Sequence, residues 1–291
     1  MASSFRAGIA QSVPNSSGTE PPNLKAPLNA TDCHIHIYDP RFKPPVEKPA
    51  NGTVADYRLL QKRLGVSRVV IVQPRNYATD NSATLDAIEQ FGIDRARGVG
   101  VLRPTVTDAE LKRLHAGGIR GIRFTTGDPH TAVVSPGMVE PLAKRIARLG
   151  WHVQLNMPVE QIVSYAKILR ELPTQMVFDH LGKVPDVNHA AYRVIRDLVD
   201  RGKAWVKVSG AYMDESGPPD YPRATAIARS YVEAAPERCV WGSDWPHPGP
   251  TIKPDDARLF DLLTSWAPDD ATRQRILVTN PEALYGFPKS A

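Results

Sequence analysis

The segment TDCHIHIYDP at residues 31–40 sets His34 and His36 one residue apart in an apolar run. Alternate side chains of an extended strand leave the same face, so the two imidazoles are expected to point together. Paired imidazoles can grip a metal, hold an anion or donate to a substrate oxygen. Further along, Gln73 and Arg75, Arg123, Gln154 and Asn156, His180, Lys207 and Ser209, and Asp244 each sit at or near the end of a short β-rich run. Asp244 is the base in this set, and the flanking Trp241 and Trp245 are expected to desolvate it and raise its pKa. His34, His36 and His180 can donate to an oxygen that gains charge. Arg123, with Arg75 or Lys207, can hold a carboxylate, which arginine does bidentately. Gln73, Gln154, Asn156 and Ser209 suit hydroxyl groups. Together these groups describe acyl transfer at an ester ring: a base for the nucleophile, an oxyanion site, and a grip on a polar, acidic substrate.

Each residue alone has an ordinary reading. A strand histidine is more often a hydrogen-bonded structural group, Lys207 could extend to the surface, and Asp32 and Asp179 could cap turns. What lifts the set above its members is a scaffold that would bring the run ends together. Eight β-rich runs, at 33–38, 68–73, 96–102, 119–124, 151–157, 175–180, 204–210 and 238–245, alternate with amphipathic segments. Their starts advance by about 29 residues per unit, the size of a βα repeat. The valine-rich runs suit a parallel sheet covered by helices.

Helices are expected at 107–118, with Thr107 as N-cap and Glu110 completing a capping box, and at 136–150, where Pro141 should shorten or kink the helix. The segments 158–173, 188–202 and 255–268 also carry apolar residues at helical spacing. The expectation is an α/β fold, a single (β/α)8 barrel over residues 28–291. Such barrels place their chemistry at the C-terminal strand ends. A doubly wound sheet is the alternative, but the glycine-rich phosphate loops of that class do not follow the first run. The Ser- and Pro-rich residues 1–27 are expected to form a flexible arm or an outer cover.

Composition narrows the partners. The net charge of +5 is modest and its Lys and Arg are scattered, so no basic stripe for nucleic acid is present. No run approaches the ~18 apolar residues of a membrane span. Cys33 and Cys239 lack metal-ligand or disulfide spacing and read as buried thiols of a reduced, cytoplasmic protein. The expected partner is therefore a small anionic molecule, with no signal for an oligomeric state.

The first-run H-x-H, the sixth-run DHLGK, the eighth-run WGSDWPHP and the closing NPEALYGF resemble the amidohydrolase superfamily, in its amidohydrolase-2 branch, from residue 30 to 287. Within that branch the chain is similar to lactone-processing enzymes. That resemblance implies catalysis by Asp244, His180, His34 and His36, and a substrate such as the lactone of a sugar diacid. Isomerisation of a δ- to a γ-lactone, as of a galactarolactone, is the reading it favours. Hydrolysis of a sugar-acid or pyrone dicarboxylate lactone uses the same machinery, and a metal-dependent decarboxylase is a further alternative. Metal-dependent members typically add a histidine at the fifth-strand end, whereas His152 lies at the start of that run. Three imidazoles and a carboxylate, His34, His36, His180 and Asp244, could hold one zinc, with His34, His36 and Asp244 as its ligands in that alternative. The neighbouring Arg123 opposes a cation, so no required metal or other cofactor is expected.

Overall fold

In the computed structural model, residues 12–44, 51–128 and 132–289 are described. Eight parallel strands pair in chain order: β1 (Thr31–Ile35), β2 (Arg68–Val72), β3 (Ala96–Gly100), β4 (Ile119–Thr125), β5 (His152–Asn156), β6 (Met176–Phe178), β7 (Ala204–Val208) and β8 (Cys239–Trp241). Helices lie between them, among them α1 (Val54–Leu64), α2 (Ser82–Phe91) and α3 (Asp108–Ala116). This is the (β/α)8 barrel that the repeat of the sequence calls for.

Alternation along β2 shows how the layers form. Val69 and Ile71 join the large cluster between strands and helices, while Val70 and Val72 join a second cluster with Cys33, Val99, Val177 and Val240. Tyr285 and Phe287 of the C-terminal segment complete that second cluster. Both cysteines are free and buried.

The helix expectations hold in kind and differ in continuity. Thr107 caps α3 through the Glu110 N–H, at 3.1 Å, but the expected capping box is corrected to a single cap, since the Glu110 carboxylate accepts from Arg113 at 2.7 Å instead. Pro141 falls in the first turn of α4 (Val139–Ile146), where no N–H donor is needed, and 3₁₀ turns at Pro136–Met138 and Ala147–Leu149 flank that helix. The 158–173 segment splits into α5 (Val159–Ser164) and α6 (Ala166–Glu171). The 188–202 segment forms α7 (Ala190–Asp200); beyond it lies α8 (Pro222–Ala234). The 255–268 segment splits into α9 (Asp256–Asp261) and α10 (Leu263–Trp266).

Residues 12–27 form a cover along the outside of the barrel. Ser17 N–H donates to the Pro254 carbonyl at 2.9 Å, Leu24 N–H to Asp261 at 2.8 Å, and Trp245 Nε1 to the Pro14 carbonyl at 2.8 Å. Residues 1–11 of the expected arm lie outside the described residues. Among the described residues, no helix is long and apolar enough to cross a membrane.

The seam between β1 and β8 sets the positions of His34, His36 and Asp244. No regular ladder joins these strands. Contact is made between the C-terminal end of β1 and the residues just past β8, where Asp244 N–H donates to the His34 carbonyl and His36 N–H to the Trp245 carbonyl, both at 2.8 Å. Gly242 permits this approach, since a Cβ there would lie 2.6 Å from His34 Cβ and 2.9 Å from its backbone nitrogen. Asp32 ties the seam from below: its carboxylate accepts from His34 N–H at 3.1 Å, Ser243 N–H at 3.0 Å and the Tyr57 hydroxyl at 3.0 Å.

Candidate active site

A cavity of about 970 Å³ lies at the C-terminal ends of the strands. Of the residues singled out in the sequence, His36, Arg75, Arg123, Asn156, His180 and Asp244 line it. The register of β1 slips by one residue between Asp32 and Ile35, and His34 within that irregularity and His36 beyond it face one another with Nε2 atoms 3.3 Å apart. The expectation that both imidazoles share one face therefore holds. His36 Nδ1 lies 2.7 Å from the Val72 carbonyl. A carbonyl only accepts, so this nitrogen carries the proton.

Asp244 is held from every side. His34 Nε2 and His36 Nε2 lie 3.3 and 3.4 Å from its Oδ1, and His180 Nε2 lies 3.6 Å from Oδ2. The Tyr212 hydroxyl donates to Oδ2 at 2.5 Å, while Oδ1 is buried and has no aligned hydrogen-bond partner. The backbone at Asp244 is left-handed, with φ of 67°. Aspartate tolerates that conformation better than most side chains. Burial pushes the carboxyl up, but the imidazoles of His180, His34 and His36 outweigh burial and hold it well below the usual carboxylate range. The raised pKa expected from Trp241 and Trp245 is thus corrected. Trp241 packs edge-on against Phe260 and Trp245 against Tyr57, so neither indole decides the charge of Asp244.

His180 and Lys183 reach the cavity by an unusual turn. His180, Leu181, Gly182 and Lys183 all have positive φ, at 49°, 58°, 68° and 52°. Three of them are not glycine, and each such residue costs about 1–2 kcal/mol. The turn brings the first and fourth side chains to the same wall. Gly210 makes room for it, since a Cβ there would lie 2.9 Å from that of His180. His180 Nδ1 meets Ser209 Oγ at 3.0 Å, and burial keeps the ring neutral, with a pKa lowered to about 4.

Beneath this wall lies a buried charged network. Asp179 accepts from Arg123 Nε at 3.0 Å and from Gln154 Nε2 at 3.1 Å. Lys207 Nζ donates to Gln154 Oε1 and to the Cys33 carbonyl, both at 2.9 Å, and lies 3.3 Å from His34 Nδ1. Burial raises the Asp179 carboxyl, but Arg123, His34 and Lys207 together hold it well below the usual range.

Four expected substrate contacts are therefore corrected. Gln73 donates to the Ala78 and Asp80 carbonyls and accepts from Thr84, so it braces the loop after β2. Gln154 and Lys207 belong to the buried network, and Ser209 positions His180. His34 likewise lies behind the wall, fully buried. His152 stays at the opposite end of the barrel, its ring 5.3 Å from that of Tyr285. The sequence reading missed Lys183, Tyr212 and Asp128, which line the cavity, and assigned no site role to Asp179. Lys183 and Asp179 flank the H-L-G of the DHLGK motif. Tyr212 follows the β7 run, but nothing local marks it.

His34, His180 and Asp244 each bring a ligand atom within 4.8 Å of the others, a spacing that one divalent ion can span. The surrounding charge does not fit a cation. Arg123 and Lys183 line the same cavity, and Lys207 stands against His34 from behind.

A model of the family described as amidohydrolase matches residues 31–287. The chain is 34% identical over 281 residues to 4-sulfomuconolactone hydrolase of Rhizobium radiobacter, covering 91% of this chain and 93% of that protein. It is 34% identical over 285 residues to D-galactarolactone isomerase of Agrobacterium fabrum, covering 92% and 94%. An Agrobacterium tumefaciens protein solved in its apo form superposes with a TM-score of 0.87 at 30% identity, covering 95% of this chain and 99% of that one.

Proposed function

The chain belongs to the amidohydrolase family, and on that premise we propose that it is a lactone-processing enzyme that isomerises the lactone of a sugar diacid. The observation that carries this reading is Asp244 Oδ1, a buried carboxylate oxygen with no aligned hydrogen-bond partner in a cavity wall that also bears Arg123 and Lys183. Asp244 takes the proton of a substrate hydroxyl. The freed alkoxide attacks the lactone carbonyl, and the oxyanion that forms is met by Lys183 and by an N–H at His180 Nε2. Ser209 supports that assignment when its hydroxyl donates to His180 Nδ1. Collapse of the tetrahedral intermediate breaks the original ring C–O bond, and the departing oxygen takes back the proton. A carboxylic acid with so low a pKa returns its proton readily, so the cycle needs no other acid. Tyr212 occupies Oδ2 and leaves Oδ1 as the reactive oxygen.

Arg123 grips the free carboxylate. Asn156 Oδ1, another buried acceptor without a partner, and Asp128 support a substrate bearing hydroxyls rather than a second anionic group in that part of the wall. The similarity to D-galactarolactone isomerase supports the same choice. No metal enters this scheme.

Hydrolysis is the second reading, favoured by the equal identity to 4-sulfomuconolactone hydrolase, and differs only in that water supplies the attacking oxygen. Turnover of galactaro-δ-lactone in H₂¹⁸O separates the two. Isomerisation gives the γ-lactone without label, whereas open-chain diacid carrying ¹⁸O as the first product would replace isomerisation by hydrolysis. No turnover of any sugar-acid or unsaturated lactone would remove both.

A further inference from the structure

Lys207 is a buried cation that the proposed chemistry leaves without a task. It sits on β7 with no solvent exposure. An ammonium has three protons and no lone pair. Three acceptors lie within 3.3 Å of Nζ, the Cys33 carbonyl and Gln154 Oε1, each at 2.9 Å, and His34 Nδ1 at 3.3 Å, while Asp179 Oδ1 stands farther off at 3.6 Å. The third proton therefore makes His34 Nδ1 an acceptor. The competing arrangement, Nδ1–H donating to Asp179 Oδ1 at 3.3 Å, is not aligned as a hydrogen bond, and that oxygen has the Lys207 ammonium as its ion-pair partner at 3.6 Å.

The far side of the ring gives the same answer independently. In a neutral His36 ring the one proton is on Nδ1, donated to the Val72 carbonyl, so Nε2 bears the lone pair, and it faces His34 Nε2 at 3.3 Å. Two lone pairs would repel at that distance, so the proton between the rings sits on His34. Burial and Lys207 keep the His34 ring well below the usual imidazole range, which leaves it a single N–H.

We infer that Lys207 is a positioning residue that fixes His34 as the Nε2–H tautomer, orienting a one-way chain from Lys207 through His34 and His36 to the Val72 carbonyl. In that arrangement His34 donates to His36, His36 has its only proton on Val72, and neither ring needs Asp244 Oδ1. The base is left open. With the proton moved to Nδ1, His34 Nε2, His36 Nε2 and Asp244 Oδ1 would present three lone pairs 3.3–3.4 Å apart. That is about the separation of two ligands on a tetrahedral zinc ion with bonds of about 2.0–2.1 Å. Lys207 thus keeps a cation out of a site whose spacing would otherwise accept one.

The value of an open base rests on the proposed role of Asp244, but the tautomer does not. The test is therefore read on the ring itself. Long-range ¹H–¹⁵N spectra of histidine-labelled protein at neutral pH, assigned with single His→Gln variants, should show a protonated Nε2 and bare Nδ1 for His34, and the reverse for His36. A His34 ring protonated at Nδ1, or at both nitrogens, would overturn the inference whatever the activity assay gives. In Lys207→Met the His34 proton should move to Nδ1, toward Asp179, and zinc affinity by calorimetry should rise at least tenfold over wild type. A folded Lys207→Met protein with the wild-type tautomer and zinc affinity would also overturn it. Should that variant fail to fold, the wild-type spectrum decides the matter alone.

Discussion

Replacing Asp244 by asparagine tests the proposed chemistry with little else disturbed. Asparagine tolerates the left-handed backbone that Asp244 adopts at φ 67°. Its carbonyl oxygen can take the place of Oδ2 and accept from Tyr212, which lies 2.5 Å away. Its amide then falls where Oδ1 lay, beside His34 Nε2 and His36 Nε2 at 3.3 and 3.4 Å. The fold, the cavity and the substrate contacts of Arg123 and Lys183 stay as they were. What is lost is the one oxygen that can take a proton. A general base is worth about 10²–10⁴-fold. At ~1.36 kcal/mol per tenfold this is about 2.7–5.4 kcal/mol of barrier. Turnover of a sugar-diacid lactone should therefore fall by about that factor, with KM changed less than about threefold. The melting temperature should stay within a few degrees of wild type, because the Tyr212 hydroxyl keeps its acceptor. Turnover within tenfold of wild type would refute the argument and move the base to His180.

Activity should survive exhaustive dialysis against a strong chelator; loss of activity with restoration by zinc would place a metal at His34, His36 and Asp244. Arg123→Ala should raise KM for a carboxylate-bearing lactone. It should also lower stability by about 3 kcal/mol, because Asp179, itself fully buried, loses its Arg123 partner; a binding defect at wild-type stability would contradict this. Tyr212→Phe removes the donor to Asp244 Oδ2, so the carboxyl pKa and the acid limb of kcat/KM should move up; a profile superimposable on wild type would exclude that bond from the working site. Stability should fall with acid. His34, His152 and His180 are held below their ordinary pKa by burial, so the unfolded chain binds protons that the folded one refuses as pH drops through about 6. Asp32, raised by burial to about 6, works in the opposite direction and cancels one of the three. The net slope is about 3 kcal/mol per pH unit between pH 5 and 6, measurable by denaturant titration, and a flat curve there would mean these histidines are not buried neutral.

The barrel was legible in the sequence because its signals are local and repeated. Valine-rich runs about 29 residues apart can only be strands of βα units, and Thr107 or Pro141 mark helix ends through their own backbone chemistry. The position of His36, Arg123, His180 and Asp244 at strand ends followed from the same repeat. What each polar side chain touches did not follow, because side-chain partners are set across the barrel. Gln73 and Lys207 have the residue types of substrate ligands and end up bracing a loop and a neighbouring histidine. Gln73 is turned by the carbonyls of the loop after β2, and Lys207 by the acceptors that β1 and β5 bring within reach. The charge of Asp244 was misjudged for a related reason. The tryptophans beside it in sequence point elsewhere, and the imidazoles that lower its pKa arrive from β1 and from the turn after β6. Sequence determined the scaffold and the cast of ionisable groups, since periodicity and strand-end position are properties of consecutive residues. Tertiary structure alone decided proton positions, partners and pKa values, since these depend on distances of a few ångströms between residues far apart in the chain.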